Sequence, residues 1–192
     1  DLENKKIIVT GASGGIGNSI VEKLHECGAN ILASGTRIEK LEELKNKFNN
    51  IKILKFDISQ SEKIEEFIDN ASKELGGNLD CLVNNAGKVY FSYGKTKDNL
   101  ERSFQINYLS HFYLAEKLIQ EKVLLENSQV LNVSSVAHSP NSSINSLDNI
   151  KHKKLVGQIN FEDINYEKVK LRGITGLFYS LSKMSQIMWT YH

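Results

Sequence analysis

The stretch Thr10-Gly11-Ala12-Ser13-Gly14-Gly15-Ile16-Gly17 constrains the rest of the chain most strongly. It follows the apolar run Ile7-Ile8-Val9 and opens a helical pattern carried by Ile16, Ile20, Val21 and Leu24. An apolar strand, a glycine-rich turn and a helix, in that order, make a phosphate-binding corner. Glycine lets the backbone turn tightly and approach an anion, and the first N–H groups of the helix face it with the positive end of the helix dipole behind them. The spacing is Thr-Gly-x-x-x-Gly-x-Gly, with Gly11, Gly15 and Gly17 in the fixed places, and not the more widespread Gly-x-Gly-x-x-Gly. Taken alone, the stretch also fits an ordinary strand-to-helix loop that happens to be glycine-rich, so the remaining sequence has to decide.

Downstream, strand and helix patterns alternate. Short, continuous runs rich in Ile, Val and Leu stand at Lys6–Thr10, Asn30–Ser34, Ile51–Phe56, Cys81–Asn84 and Val130–Ser134, as expected of strands covered on both faces. Helical spacing runs through Gly14–Glu26, Arg37–Phe48, Ser61–Leu75, about Lys97–Leu125, and from about Thr175 to the end. This alternation predicts an α/β fold, a Rossmann-like doubly wound parallel sheet flanked by helices with right-handed crossovers. A single domain over 1–192 is expected, with a long Ser-, Asn- and Lys-rich insert at about 137–173 that contains the sole proline, Pro140. The last helix stops at Tyr191-His192 with no following strand. A doubly wound sheet usually needs another strand or two, so a truncated protein or fragment is expected.

Bulk properties remove several function classes. The formal net charge of +1 gives no field suited to nucleic acid or an anionic membrane surface, and the basic run Lys151-His152-Lys153-Lys154 reads as a solvated loop. No apolar run is long enough to span a bilayer and no signal peptide is visible, although a removed upstream anchor stays compatible with the sequence. Cys27 and Cys81 lie in apolar patterns and read as buried reduced thiols, which fits a cytoplasmic setting. The five histidines show no paired metal-ligand spacing, so no metal is expected.

Four further features carry chemistry. Asn84-Asn85-Ala86-Gly87 ends the fourth strand, where small residues let a ligand approach the C-terminal edge of a parallel sheet; a plain turn would use the same residues. Ser134-Ser135 follows Val130–Val133, so a hydroxyl stands at a strand end, where it could bond a reacting oxygen or merely begin a loop. Asn107 is an amide among apolar neighbours in the long helix and needs buried partners. Tyr179 and Lys183 are four apart on the last helix and project from one face, where an ammonium beside a phenol favours the phenolate form. An amphipathic helix with a surface lysine would show the same spacing.

The order of these features is more specific than any one of them. Together they resemble the short-chain dehydrogenase/reductase family over essentially the whole chain. The resemblance implies a catalytic tetrad of Asn107, Ser135, Tyr179 and Lys183. Ser135 is preferred to Ser134 because the family's serine is usually the second of such a pair. Tyr179 would exchange the proton with the substrate oxygen, Lys183 would support it and hold the nicotinamide ribose, Ser135 would orient the carbonyl or alcohol, and Asn107 would hold a water of the proton relay. Dinucleotide contacts are implied for Gly11, Ser13, Gly14, Gly15, Ile16, Gly17, Arg37, Asp57, Ile58, Asn85, Ala86 and Gly87, together with Tyr179 and Lys183.

The second strand ends Gly35-Thr36-Arg37 with no acid before Glu39. An acid near this place would bind the ribose hydroxyls of NAD, whereas Arg37 suits a 2′-phosphate, so NADP(H) is expected over NAD(H). Asp57 matches the family's adenine-contacting acid, and would otherwise be a helix cap with Ser59 and Ser61 nearby. The segments Thr96–Phe112 and Asn132–His138 resemble the retinol-dehydrogenase-like group, as does the 44-position separation of Ser135 and Tyr179. Phe161–Asn165 looks like that group's short strand-forming segment. The first half also resembles bacterial 3-oxoacyl-carrier-protein reductases, against which the long insert argues. The implied activity is hydride transfer between NADP(H) and a small apolar carbonyl or alcohol. A catalytically idle dinucleotide-binding module is the alternative of a different class. The family often forms homodimers, for which Phe112, Tyr113 and Trp189 are candidate contacts, or else ordinary intradomain packing.

Overall fold

The computed structural model describes residues 1–90, 92–139, 159–165, 167 and 175–191. The elements in chain order are β1 (Lys6–Val9), α1 (Gly15–Glu26), β2 (Asn30–Gly35), α2 (Ile38–Lys47), β3 (Lys52–Lys55), a 3-10 turn (Ser61–Lys63), α3 (Ile64–Leu75) and β4 (Leu79–Asn84). There follow a short α4 (Arg102–Phe104), a π-helical turn (Gln105–Leu109), α5 (Ser110–Gln120), β5 (Leu124–Asn132), a 3-10 turn (Val136–His138) and α6 (Thr175–Thr190). Most of the insert expected at 137–173, including Pro140, the 141–146 run and the basic run at 151–154, lies outside the described residues. Two compact units are present, one made of Asp1–Ala86 with His111–Val133 and the other of Gly87–Ser110 with Ser134–His192.

The first unit holds the sheet. Its five strands are all parallel, in the order β3-β2-β1-β4-β5. From β1 the chain winds outward through β2 and β3, and β4 then returns to pair with the other side of β1. That reversal makes the C-terminal ends of β1 and β4 a topological switch point, where open α/β sheets bind their ligands. The β1–β4 register pairs Ile7 with Cys81, Ile8 with Leu82 and Val9 with Val83.

Alternation along the strands sends side chains to both faces, and both are covered. One face packs Ile7, Val9, Ile31, Ala33, Cys81 and Val83 against Val21 of α1 and Leu41 and Leu44 of α2. On the alternate positions Ile8, Leu32 and Leu82 have no exposed surface. Cys81 is buried, Cys27 is only half-buried, and neither is in a disulfide. Burial pushes the Cys81 thiol up to about 11, so it is an apolar filler and no nucleophile.

Element boundaries depart from expectation in three instructive places. The helix expected over Lys97–Leu125 begins only at Arg102, because Asn99 takes a left-handed conformation (φ 61°) and Glu101 caps the first turn. It ends at Gln120 because Lys122 is also left-handed (φ 57°), which frees Leu124 and Leu125 to open β5. β5 starts at Leu124, well before Val130, since the polar run Glu126–Gln129 masks a strand that pairs only with β4 among the described residues. Phe161–Asn165 forms turns and no strand: Asn165 is held by its own amide, which donates to the Asn99 carbonyl and accepts the Glu101 N–H. Among the described residues no helix is long and apolar enough to cross a membrane.

The glycines of the opening turn divide by what surrounds them. Gly11 has φ +65°, and a Cβ there would stand 2.6 Å from Ala86 Cα. A Cβ on Gly17 would stand 2.3 Å from the Gly11 carbonyl oxygen, whereas one on Gly15 would meet nothing within 4 Å. Gly17→Ala is therefore expected to cost at least about 2 kcal/mol in chemical unfolding, through overpacking against immobile backbone. Gly15→Ala, at the first position of α1, should stay within about 1 kcal/mol of wild type on the stabilising side. Equal losses for the two would contradict this packing.

Candidate active site

In the first unit, the turn after β1 and the turn after β4 are joined by hydrogen bonds. The Asn85 side-chain amide donates to the carbonyls of Thr10 (2.9 Å) and Gly11 (3.2 Å). The Thr10 hydroxyl accepts the backbone N–H groups of Asn85 and Ala86, both at 3.0 Å. Beyond this braced corner α1 begins at Gly15. Its N-cap, Gly14, makes no side-chain capping bond, and no acid lies in the first turn. The leading N–H groups of a helix have no intrahelical acceptor, so this end keeps unpaired donors and the positive dipole end. Gly15 and Ile16 are exposed there, which leaves backbone open to an anion. The corner therefore fits a dinucleotide's pyrophosphate, with the N–H groups of Gly15, Ile16 and Gly17 able to hold it, while that of Gly14 donates to the Gly11 carbonyl at 3.1 Å.

The other residues implied for the cofactor in this unit lie along the C-terminal ends of the strands. Ser13 packs against Gly35, where a Cβ would come 2.6 Å from its hydroxyl. Arg37 is exposed at the start of α2 and donates through Nη2 to the Ser13 carbonyl. Asp57 follows β3 and accepts the Ser59 N–H (2.9 Å) and hydroxyl (2.7 Å) on one oxygen, Oδ1. It thus acts as a local cap, while Oδ2 has no partner among the described residues. Ile58 beside it is buried.

The second unit brings together Gly87, Asn107, Tyr179 and Lys183. Asn107 sits in the π-helical turn and is fully buried. Its Oδ1 accepts the Lys88 N–H (2.8 Å), and its Nδ2 donates to the Lys88 carbonyl and to the Ser182 hydroxyl, both at 3.1 Å. A Cβ on Gly87 would lie 3.3 Å from Asn107 Oδ1 and 3.7 Å from Lys183 Nζ, so glycine keeps the backbone close to both. Lys183 is 4% exposed, and its ammonium donates to Gln186 Oε1 at 2.9 Å. Burial pulls its pKa down to about 8. Nζ stands 5.7 Å from the centre of the half-buried Tyr179 ring, as the spacing of four on α6 dictates. The Tyr179 hydroxyl has no partner among the described residues. The two serines differ: Ser134 donates to the Lys183 carbonyl (2.9 Å), whereas Ser135 accepts the Ala137 N–H (3.2 Å) and keeps its own proton without an acceptor among the described residues.

A profile of the family described as short chain dehydrogenase matches residues 5–146. The chain belongs to the short-chain dehydrogenase family. It is similar to human retinol dehydrogenase 11, with 31% identity over 98% of this chain and 55% of that protein, and to mouse retinol dehydrogenase 13, with 29% identity over 98% and 53%. Nodulation protein G of Rhizobium meliloti is 33% identical, but over 71% of this chain and 57% of that protein. The similarity to retinol dehydrogenases over 98% of this chain places it with the retinol-dehydrogenase-like group. The chain spans about half the length of the curated retinol dehydrogenases it matches. Among solved structures, an uncharacterized protein from Mycobacterium paratuberculosis superimposes with a TM-score of 0.78 at 27% identity, over 98% of this chain and 61% of that one. A short-chain dehydrogenase/reductase from Brucella melitensis shares the fold, with a TM-score of 0.70 at 23% identity over 98% of this chain and 68% of that one.

Several residues that build this short-chain dehydrogenase's site carry no motif. Gln186 is fully buried and accepts from Lys183, and its Nε2 has no partner among the described residues. Ser182 links Asn107 to the Tyr179 carbonyl. His111 is a fully buried imidazole whose only sequence signal is a polar residue within an apolar helical face. Glu101, 1% exposed, caps the helix that carries Asn107 by accepting the Phe104 N–H at 2.9 Å; burial holds its carboxyl above the usual range. Glu101→Ala is expected to cost about 1–2 kcal/mol in urea unfolding, the value of a lost cap. Glu101→Gln keeps an acceptor and should cost less; indistinguishable losses would remove the capping role.

Proposed function

We propose that this protein transfers hydride between NADP(H) and an apolar carbonyl or alcohol, with Asn107, Ser135, Tyr179 and Lys183 as its catalytic residues. The observation that carries the reading is a buried lysine ammonium 5.7 Å from the ring centre of a tyrosine one helical turn away on α6, whose hydroxyl has no partner among the described residues. When bound, the dinucleotide supplies or accepts the hydride at the substrate carbon. In the reducing direction Tyr179 gives its hydroxyl proton to the substrate oxygen as the carbonyl becomes an alcohol, and in the oxidising direction it takes that proton back. Lys183 stabilises the phenolate left on Tyr179, more effectively for being out of water. Ser135 donates its free proton to the substrate oxygen and so orients it. Asn107, tied to the Lys88 backbone and Ser182, fixes the floor of this group and holds a water through which Tyr179 recovers its proton.

Arg37 supports NADP(H) over NAD(H). It is a cation at the end of β2, in a stretch with no acid to bind ribose hydroxyls, and its guanidinium suits a 2′-phosphate. The similarity of 98% of this chain to about half the length of retinol dehydrogenases supports an apolar substrate.

Tyr179→Phe is expected to lower kcat/KM with NADPH and an apolar aldehyde by at least about 100-fold while circular dichroism and unfolding stay unchanged. Full turnover in a folded variant would contradict the mechanism. Lys183 also sets a pH dependence. With a folded pKa of about 8 it is charged below that pH and neutral above it. NADPH affinity of the free protein should weaken as pH rises through about 8, and Lys183→Met should remove that step. An affinity that is flat from neutral to alkaline pH would contradict a role for the ammonium in holding the dinucleotide.

A further inference from the structure

The Thr10 hydroxyl has more neighbours than a hydroxyl can serve in an arbitrary way. Four polar groups surround Oγ1: the N–H of Asn85 and of Ala86 at 3.0 Å, the Val83 carbonyl at 3.2 Å and His111 Nε2 at 3.1 Å. All five residues belong to the first unit. A hydroxyl offers one proton and two lone pairs. Backbone amides can only donate, so the N–H of Ala86 takes one lone pair and that of Asn85, which is divided with the Val83 carbonyl at 3.1 Å, takes the other. The one proton is left for Val83 or His111. An Nε2–H on His111 would point at an oxygen with no lone pair left, and water cannot intervene, since Thr10 is 2% exposed and His111 not at all.

We infer that His111 is a positioning residue: a neutral imidazole with its proton on Nδ1, whose bare Nε2 shares the Thr10 hydroxyl proton with the Val83 carbonyl and thereby holds the Asn85–Ala86 turn in place. The effect reaches the glycine turn by contact. With the hydroxyl proton directed toward His111 and Val83, the lone pairs face the two amides, and Asn85 in turn bonds the carbonyls of Thr10 and Gly11. Gly11 stands so close to Ala86 that a small displacement of one moves the other. The charged imidazolium, or the opposite tautomer, breaks the count at Thr10 and releases one amide of the turn. The consequence for cofactor affinity rests on the dinucleotide reading above; the tautomer does not.

The test has two arms. Long-range nitrogen–proton correlation NMR on protein labelled with 15N histidine, without cofactor near neutral pH, should show His111 with a protonated Nδ1 and a bare Nε2. A protonated Nε2 overturns the inference whatever the protein binds. In the second arm, NADPH binding is titrated by fluorescence. His111→Leu should raise the Kd about tenfold, the worth of one net hydrogen bond. His111→Gln, which offers an amide oxygen as acceptor, should recover most of that loss. In a Thr10→Val background His111→Leu should cost little further. An unchanged Kd in His111→Leu, no recovery by Gln, or additive losses in the double variant would each overturn it. Should the Leu variant fail to fold, the tautomer and the Gln variant still decide. A wild-type protein that binds no dinucleotide would refute the functional reading and leave the tautomer arm standing on its own result.

Discussion

Backbone meets backbone where the turn after β1 passes the turn after β4, and much else follows from that contact. Gly11 lies against Ala86 with no room for a side chain, and Gly17 lies equally close to the Gly11 carbonyl and Ala12. The two turns start from the same parallel pairing, Val9 opposite Val83, and so leave the sheet side by side. Hydrogen bonds from Asn85 and to Thr10 close the remaining distance. A corner held this tightly needs no side chain at the start of α1, and none caps it. The unpaired N–H groups are preorganised, and a pyrophosphate can use them without first ordering a loop.

The second unit is organised differently, around polar side chains. Several of its polar groups are tied to one another: Asn107 by Lys88 and Ser182, Lys183 by Gln186, Ser134 by the Lys183 carbonyl. Such a network resists rearrangement because each broken bond would leave a desolvated group unpaired. Against that background the hydroxyls of Tyr179 and Ser135 donate to no acceptor among the described residues. Desolvation acts on Lys183 in two ways: it lowers the ammonium's pKa to about 8, and it strengthens the field of the charge that is present below that pH.

Much of this was legible in the sequence. The β1 and β4 runs, the glycine spacing and the four-residue interval between Tyr179 and Lys183 are local patterns, and local patterns survive folding. What escaped depends on partners distant in the chain or on single backbone angles. Helical periodicity alone carried the long helix past both its ends, because the left-handed Asn99 and Lys122 that stop it have no apolar signature. β5 was cut short because polar residues are tolerated on a strand with one neighbour in the described sheet. Phe161–Asn165 has strand-like residues but is held as turns by bonds from Asn165 to Asn99 and Glu101, more than sixty residues earlier. The roles of His111, Gln186 and Glu101 reside in counts of donors and acceptors that only the folded chain assembles.

The central claim of the proposed function is that the protein transfers hydride with Tyr179, supported by Lys183, exchanging the proton. The most direct measurement follows the hydride itself. NADPH carrying deuterium at the reactive carbon of its nicotinamide ring would be turned over with an apolar aldehyde, and the alcohol product analysed by mass spectrometry. Deuterium on the carbinol carbon, lost when Tyr179 is Phe, is the predicted result. Binding of NADPH with no deuterium transferred, or transfer undiminished in the Tyr179→Phe protein, would contradict it.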